Sequence, residues 1–377
     1  MLQADILRPD ALSDSDASAW REFLELTPAF ASPLMGPEFA RLVGEVRADA
    51  HVAVFRRDGA PVGFLAHHRR PGGLGRPAGA PWSDRHALIT APSPGFGWRE
   101  ALAAARLRAF RFTALADPHG VFDGAALGAG EAAYAVAPPD AGEAYWERLR
   151  AGSPKRFKNI RRLEHKLDRE EGPLELIVGD TSKDALQLLF QWKRDQFRRT
   201  GLHDVLHPEW SRAMMETLHG RADPELGGLL VTLRARGRVI AAHFGARSGA
   251  LFHPWLAAYD PDWAHASPGL VFLSMAVRAM PDAGLERYEL SGGSAHYKVV
   301  FADREELLVD GAAELRAPAT APGASRRPEL QARVQRRLDH IAQAEPTLAG
   351  RIQGVALALT DMKKRLPAGG RATAAEA

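Results

Sequence analysis

Val239 to Ala302 reads VIAAHFGARSGALFHPWLAAYDPDWAHASPGLVFLSMAVRAMPDAGLERYELSGGSAHYKVVFA, and this stretch decides the fold. Val239 to Ala246 is apolar and β-prone, Ser248-Gly249 supplies a hairpin turn, and Leu251 to Tyr259 is a second strand rich in aromatics. Ser267-Pro268-Gly269 then predicts a helix start, with Ser as N-cap and Pro at the first helical position. Leu270, Leu273, Val277 and Met280 follow at helical spacing. Gly284 ends that helix. Tyr288-Glu289-Leu290 opens another short strand, and a glycine turn at Gly292-Gly293 is closed by Tyr297-Lys298.

A helix that begins beside strand ends turns unpaired N–H groups and a positive dipole end toward an anion. Ser-Pro-Gly also simply starts a helix, so those three residues do not by themselves make a phosphate site. The glycine turn and Tyr297-Lys298 in the same unit add weight to the anion reading.

The string resembles the C-terminal half of bacterial acyltransferases of the cellulose-biosynthesis CelD type, within the wider GNAT and FemAB-like group. The residues that carry the resemblance are His243-Phe244-Gly245, Ser267-Pro268-Gly269, Glu289-Leu290-Ser291-Gly292-Gly293 and Tyr297-Lys298. The family usually has Asp where this chain has Glu289, and Phe-Gly where it has Leu290-Ser291. Ser32-Pro33 and the turn Asp58-Gly59-Ala60-Pro61-Val62-Gly63 match the family's N-terminal region. The resemblance implies an α/β fold with a mixed sheet, built as two GNAT-like halves of which the first is degenerate for cofactor binding. Residues 1–140 form the first half on this reading, residues 141–316 the acyltransferase half, and residues 317–377 a linker and helical tail.

The bounds agree with an ordinary globular protein. With 377 residues, 46% of them apolar and 25% charged, the chain is long enough for two domains. It has no cysteine, which excludes disulfides, thiolate catalysis and cysteine-ligated zinc. The 14 histidines are scattered without ligand spacing, so no metal is expected. MLQADILRPDALSDSD lacks the pattern of a secretory signal, and no apolar run approaches a membrane span, so a cytoplasmic protein is expected. A net charge of +3 is too small to argue for DNA.

In the first half, Ser18 to Leu26 and Pro37 to Val46 are helical patterns. His51 to Arg56 and Pro61 to His68 read as a hairpin across Asp58-Gly59. Pro71 to Pro81 is Gly/Pro-rich and reads as a mobile loop, Trp98 to Leu107 as a helix, and Arg111 to Leu115 as a strand. A basic run follows in SPKRFKNIRR, with a helix start at Ser153-Pro154; Lys158, Arg161 and Arg162 share a face. Glu164, Asp168, Glu170 and Glu171 soon balance it, as on a solvated helix face. The same face suits a sugar-nucleotide or polyprenyl pyrophosphate, which makes Arg156, Arg161 and Arg162 candidate substrate ligands. Ala185 to Thr200 and Pro208 to His219 are amphipathic helices, and Gly228 to Ala235 pairs with Val239 to Ala246 across Arg236-Gly237.

On this scaffold the expected chemistry is direct acyl transfer from acetyl-CoA, or another acyl-CoA, to an amine. It needs a pyrophosphate site, a donor to the thioester oxyanion and a base for the amine proton. Ser267, Gly269 and Leu270, whose backbone flanks the helix start, are the candidate cofactor ligands. His243, His253, Asp260, Glu289 and His296 are candidate bases; His243 leads because it lies in the resembling segment, although a lone strand histidine is commonly a core residue. Tyr297 could protonate the leaving thiolate, and Lys298 could hold a substrate phosphate or sit solvated at a strand end.

The last sixty or so residues change character. Ala317 to Ser325 is a Pro/Ala linker, followed by two amphipathic helical patterns and many arginines. A helical hairpin packed on its own domain, or on a twin subunit, accounts for them. Basic amphipathic helices also suit the inner-membrane surface or a cyclic dinucleotide. Similarity along the chain to acyltransferases of holdfast and exopolysaccharide synthesis implies N-acetylation of a polysaccharide precursor, with cyclic di-GMP control through the tail. Two other classes stay open: FemAB-like aminoacyl transfer from charged tRNA to a peptidoglycan precursor, and a non-catalytic effector that binds a nucleotide such as cyclic di-GMP.

Overall fold

A computed structural model describes residues 1–293, 296–316 and 329–365; the Pro/Ala linker expected at 317–325 lies outside the described residues. The first run of elements is β1 Gln3–Leu7, α1 Asp14–Glu25, α2 Pro37–Val46, β2 Ala50–Arg57, β3 Ala60–Arg70, β4 Leu74–Pro77, β5 Ile89–Thr90, α3 Trp98–Ala104 and β6 Ala109–Leu115. Next come β7 Ala126–Val136, α4 Glu143–Gly152, α5 Pro154–Glu171, β8 Leu174–Val178, α6 Lys183–Thr200, α7 Glu209–His219, β9 Gly227–Ala235, β10 Arg238–Ser248 and β11 Leu251–Tyr259. The chain continues through α8 Pro268–Arg278, β12 Arg287–Gly292, α9 His296–Phe301, β13 Arg304–Glu314, α10 Glu329–Ala344 and α11 Leu348–Arg365.

The strands join in one mixed sheet in the order β1-β2-β3-β4-β6-β13-β7-β12-β11-β10-β9-β8, with β5 paired to β3 off this path. This is the mixed α/β architecture that the strand and helix order predicts. The late strand β13 inserts between β6 and β7, so both early strands are pinned by a segment almost 200 positions downstream. Around β9–β12, α6 and α7 cover one face, where Leu189, Met214 and Met215 meet Ala242, Phe244 and Leu256. On the other face α5 and α8 bring Ile160, Leu167, Val271 and Phe272 against Ile240, Phe252 and Tyr288. Phe39 and Val43 of α2 and Ala344 of α10 share the first of these cores, which ties the chain's beginning and end to its middle.

Several expectations are corrected by the structure. Pro71 to Pro81 is no mobile loop: β4 pairs with β3 and β6, and Gly75 to Ala80 are buried. Arg76 there holds Asp339 of α10 at 2.9 Å, which compensates its burial. Ser267 stands at the N-cap position, but its backbone is left-handed (φ 51°, ψ 52°) and its side chain makes no cap bond. Lys298 is not at a strand end: Tyr297 and Lys298 lie in the short helix α9, from which Lys298 holds the glycine turn through the Gly292 carbonyl. The tail, by contrast, is the expected helical hairpin, seated on the chain's own body. Trp210 donates to the Ala344 carbonyl at 2.9 Å, and Arg70 donates to those of Ala342 and Pro346.

Two irregularities shape the middle of the sheet. Between β10 and β11 the register moves from Phe244↔Leu256 to Gly245↔Pro254, leaving Trp255 as the extra residue of a bulge. Gly245 is required there, because a Cβ on it would come 1.9 Å from the His253 carbonyl oxygen. Between β12 and β7 the partners are Glu289↔Ala135 and Ser291↔Tyr134, so Leu290 is extra; Ser291 adopts a positive φ of 59°. Substituting Gly245→Val should cost on the order of 3 kcal/mol or more, since backbone must move to admit the side chain. Urea unfolding checks this, and a midpoint within experimental error of the wild type would contradict it.

Candidate active site

β11 and β12 run parallel but pair at only two positions, Leu251↔Arg287 and Phe252↔Tyr288. Beyond them the strands part. Short pairing followed by separation leaves backbone groups of both strands without a sheet partner, facing a gap. The chain leaves β11 at Tyr259, turns through Pro261–Ala266 and enters α8 at the mouth of that gap.

A cavity of about 380 Å³ lies at the start of α8, over β10 and the end of β11, and gathers several candidates at once. His243, Ser267, Gly269, Leu270 and Tyr297 all line it, with Trp192 from α6 as part of its wall. Ser267, Gly269 and Leu270 stand where the first turn of α8 presents its amide groups. A Cβ on Gly269 would lie 3.6 Å from the Tyr259 ring, so a larger residue there would project into the cavity region rather than meet backbone.

His243 is held rather than free. Its Nδ1 lies 2.7 Å from the Tyr288 hydroxyl, and its ring sits 4.2 Å from that of Phe272. Burial, reinforced by the nearby Lys193 charge, pushes its pKa down to about 3, so the ring is neutral at physiological pH. Lys193 is itself pushed down by burial and by the charge of Lys298. Burial raises the Tyr297 phenol, although its side of α9 stays partly exposed, and the proton is therefore retained at neutral pH. Lys298 donates to the Gly292 carbonyl, and burial pulls its pKa down against the opposing charges of Asp84 and Glu131.

Glu289 is not among these groups. β12 alternates, so Tyr288 faces His243 while Glu289 takes the opposite face. There it accepts from Arg287 at 2.5 Å; Arg287 also reaches Glu306, which pairs with the buried Arg85. Asp260 receives Arg238 at 2.6 Å and bonds the amide of Asp262, capping the short turn before α8. His296 begins α9. Arg161 and Arg162 line a separate surface groove on α5 with Lys158, His165, Lys166 and Arg169; Arg156 precedes them on the same helix. None of these α5 side chains lines the α8 cavity.

Sequence reasoning missed two groups. Lys193, on the polar side of the Ala185 to Thr200 pattern, lies half-buried, 3.5 Å from the carbonyl of the cavity-lining Ala257. Asp84 comes from the loop between β4 and β5, and its Oδ1 lies 2.7 Å from Nε2 of the buried His253 on β11. Trp-Ser-Asp-Arg-His carries no local signal of this, since the partner is far away in the chain. Among the described residues, no group of three or more His, Cys, Asp or Glu side chains is placed to hold a metal ion. Nor, among them, is any helix long and apolar enough to cross a membrane.

Residues 154–299 match the family model described as an acetyltransferase (GNAT) domain, a segment that contains α5 through the start of α9 and the whole α8 cavity. No curated protein sequence matches the chain. Among solved structures, FemX is 11% identical with a TM-score of 0.50, over 82% of this chain and 96% of that one. A tandem GNAT protein from the clavulanic acid biosynthesis pathway is 12% identical with a TM-score of 0.46, over 84% of this chain and 99% of that one. The C-terminal domain of a protein named as a lysylphosphatidylglycerol synthetase, from Agrobacterium fabrum, is 14% identical with a TM-score of 0.48, over 80% of this chain and 92% of that one. The matched segment is a GNAT acetyltransferase domain, which makes the protein an enzyme of the N-acyltransferase class, and the chain's mixed α/β fold is similar to that of FemX.

The buried histidines set a pH dependence. Burial holds His67 and His68 at about 4, His86 at about 3, His203 at about 4 and His243 at about 3. A neutral buried histidine binds its proton more readily once unfolded, so its contribution is complete above about 6.5 and is lost as pH falls toward the folded values. His119 and His340 are lowered by burial as well, and His253, raised by its carboxylate, has the opposite sign but is one against seven. Urea unfolding should give lower stability at pH 5 than at pH 7, with a shallower slope in His243→Gln; equal stability at both would contradict this.

Proposed function

We propose that the protein transfers an acyl group, acetyl in the simplest case, from acyl-CoA to the amine of an amino sugar in an exopolysaccharide or envelope polysaccharide precursor. The observation that carries this reading is the cavity at the start of α8, on a sheet where β11 and β12 pair at only two positions. An acyl-CoA pantetheine is an extended amide chain, able to bond the unpaired edges of two separated strands. In this reading the amides at Gly269 and Leu270 receive the pyrophosphate, helped by the helix dipole. The thioester then points inward past Tyr297.

A tyrosine that keeps its proton is suited to protonate a departing thiolate, the role we assign to Tyr297. His243, neutral and anchored by Tyr288, fits better as a hydrogen-bonding wall than as the base. Lys298 holds the Gly292 turn. The CelD resemblance of Ser267-Pro268-Gly269 and Tyr297-Lys298 supports a polysaccharide precursor as acceptor, whether sugar-nucleotide or lipid-linked. A lipid-linked one would bring the enzyme to the inner-membrane surface, for which the basic face of α5 with Arg156, Arg161 and Arg162 is suited. We divide the chain accordingly into a first half to about residue 140, an acyltransferase half to about 316, and the tail.

Calorimetry with acetyl-CoA tests the reading. Micromolar binding is expected in the wild type and a loss of at least about tenfold in Gly269→Asp, which sets a carboxylate at the pyrophosphate position. Failure to bind any acyl-CoA would overturn it and direct attention to aminoacyl-tRNA or a cyclic dinucleotide.

A further inference from the structure

A second and larger hollow, of about 1220 Å³, lies beside the first. Its floor comes from β6, β7, β12 and β13, and α10 overhangs it with Asp339, His340 and Gln343. Asp84 and Ser291–Gly293 line this cleft, while Tyr297 lines the cavity at α8. Gly292 is held by Lys298, the residue after Tyr297, so neighbouring residues of one short stretch line the two hollows. We propose that the cleft receives a cationic acceptor, and that Asp84, seated on His253, takes the proton from its amine.

The placement of Asp84 is a built feature. Trp82 on one side packs into the core under α6 and α7 and donates to Ser211 of α7 at 2.5 Å. On the other side Arg85 is buried, bonded to the Ala29 carbonyl at 3.0 Å and paired with Glu306. With both neighbours locked into different parts of the molecule, the Asp84 carboxylate has little freedom to leave His253. Its side chain stays 37% exposed, toward the cleft, while His253 behind it is 1% exposed. His253 also lies 3.4 Å from the Ser291 hydroxyl through Nε2, and its Nδ1 is buried with no hydrogen-bond partner. A buried imidazole left with an open nitrogen is costly as a purely structural element and useful as a proton store.

The cleft's charge fits an ammonium group. Glu131 and Asp310 join Asp84 in lining it, whereas its two arginines are occupied, Arg76 with Asp339 and Arg111 with Glu314. The groups around the dyad are Arg85 and His86 from its own loop, Glu289 on β12, and Lys298 with Glu131 on the far side. Burial lowers the His253 pKa, but the Asp84 charge and hydrogen bond and the Glu289 charge outweigh it, so the net shift is upward. Burial raises Asp84, and His253 together with Ser291 more than offsets this, so the carboxyl stays ionised.

This inference rests on the acyl-transfer reading. The acceptor R–NH₃⁺ gives one proton to the Asp84 carboxylate, which the Nε2–H of neutral His253 holds in place. The freed amine attacks the thioester carbonyl, a C–N bond forms and the C–S bond breaks. The thiolate leaves with the proton of Tyr297, which recovers it from the second amine proton. The products are the amide and CoA thiol, with one proton left on the dyad and returned to solvent.

The test is turnover of acetyl-CoA with glucosamine and with simple primary amines between pH 6 and 9. Wild type, Asp84→Asn and His253→Gln are compared, with acetyl-CoA affinity measured on each. Both variants should bind acetyl-CoA within about twofold of the wild type, which also shows that they are folded, and lose roughly 100-fold or more in kcat/KM for the amine. The wild-type acid limb should lie above 6.5 and be absent in His253→Gln. Asp84→Glu should recover part of the loss. Asp84→Asn with full turnover, or with the acid limb unmoved, overturns this proposal alone. So does a wild type that binds acetyl-CoA but neither binds nor acetylates any amine of the panel. If the wild type binds no acyl-CoA, the underlying reading falls instead.

Discussion

The separation of β11 from β12 is the constraint on which the rest of the molecule depends. A parallel pair that stays together for only two residue pairs forfeits ladder hydrogen bonds, and it persists only where the surroundings hold both strands apart. On one side the Gly245 bulge bends β11 against β10, with the backbone so close that no side chain fits. On the other, β12 is clamped to β7 and bulges at Leu290. The opening is thus maintained by its neighbours, and it leaves room at the α8 start without relying on a flexible loop.

The clamp on β12 depends in turn on β13. By entering between β6 and β7 it makes the early and late parts of the chain one sheet, and it brings Glu306 between Arg85 and Arg287. Buried arginines of this kind are tolerated only when paired, and removing one partner leaves a charge stranded in low dielectric. The network therefore specifies geometry more than it adds stability. It fixes the Asp84 loop on one side and Glu289 on the other, across the strand whose opposite face carries Tyr288 and His243. Glu289 is thus explained by the ions it balances. The α10–α11 hairpin closes the arrangement through Arg70, Arg76 and Trp210, which meet its carbonyls and Asp339.

Local patterns carried much of this into the sequence. Asp58-Gly59, Arg236-Gly237 and Ser248-Gly249 each forecast a hairpin because a two-residue turn with a positive φ leaves few alternatives. The helices from Pro37, Pro154 and Pro268 were legible from proline at the first turn, and the gathering of His243, Ser267 and Tyr297 from a motif confined to sixty residues. What escaped was non-local. Nothing in Arg304–Glu314 says that its partners are β6 and β7, and nothing near Asp84 points to His253. Pro71 to Pro81 has the composition of a loop, yet tertiary packing makes it a buried strand and turn. Lys193 escaped because amphipathic patterning cannot distinguish a solvated cation from one that packs against the rest of the molecule.

The most direct measurement is a crystal structure with a non-hydrolysable acetyl-CoA analogue. The account requires the pantetheine to run between β11 and β12, the pyrophosphate to rest on the amides at Gly269 and Leu270, and the acyl carbon to end beside Tyr297, facing Asp84 across the Gly292 turn. An analogue bound instead on the basic groove of α5, or a gap between β11 and β12 closed by continued strand pairing, would contradict it.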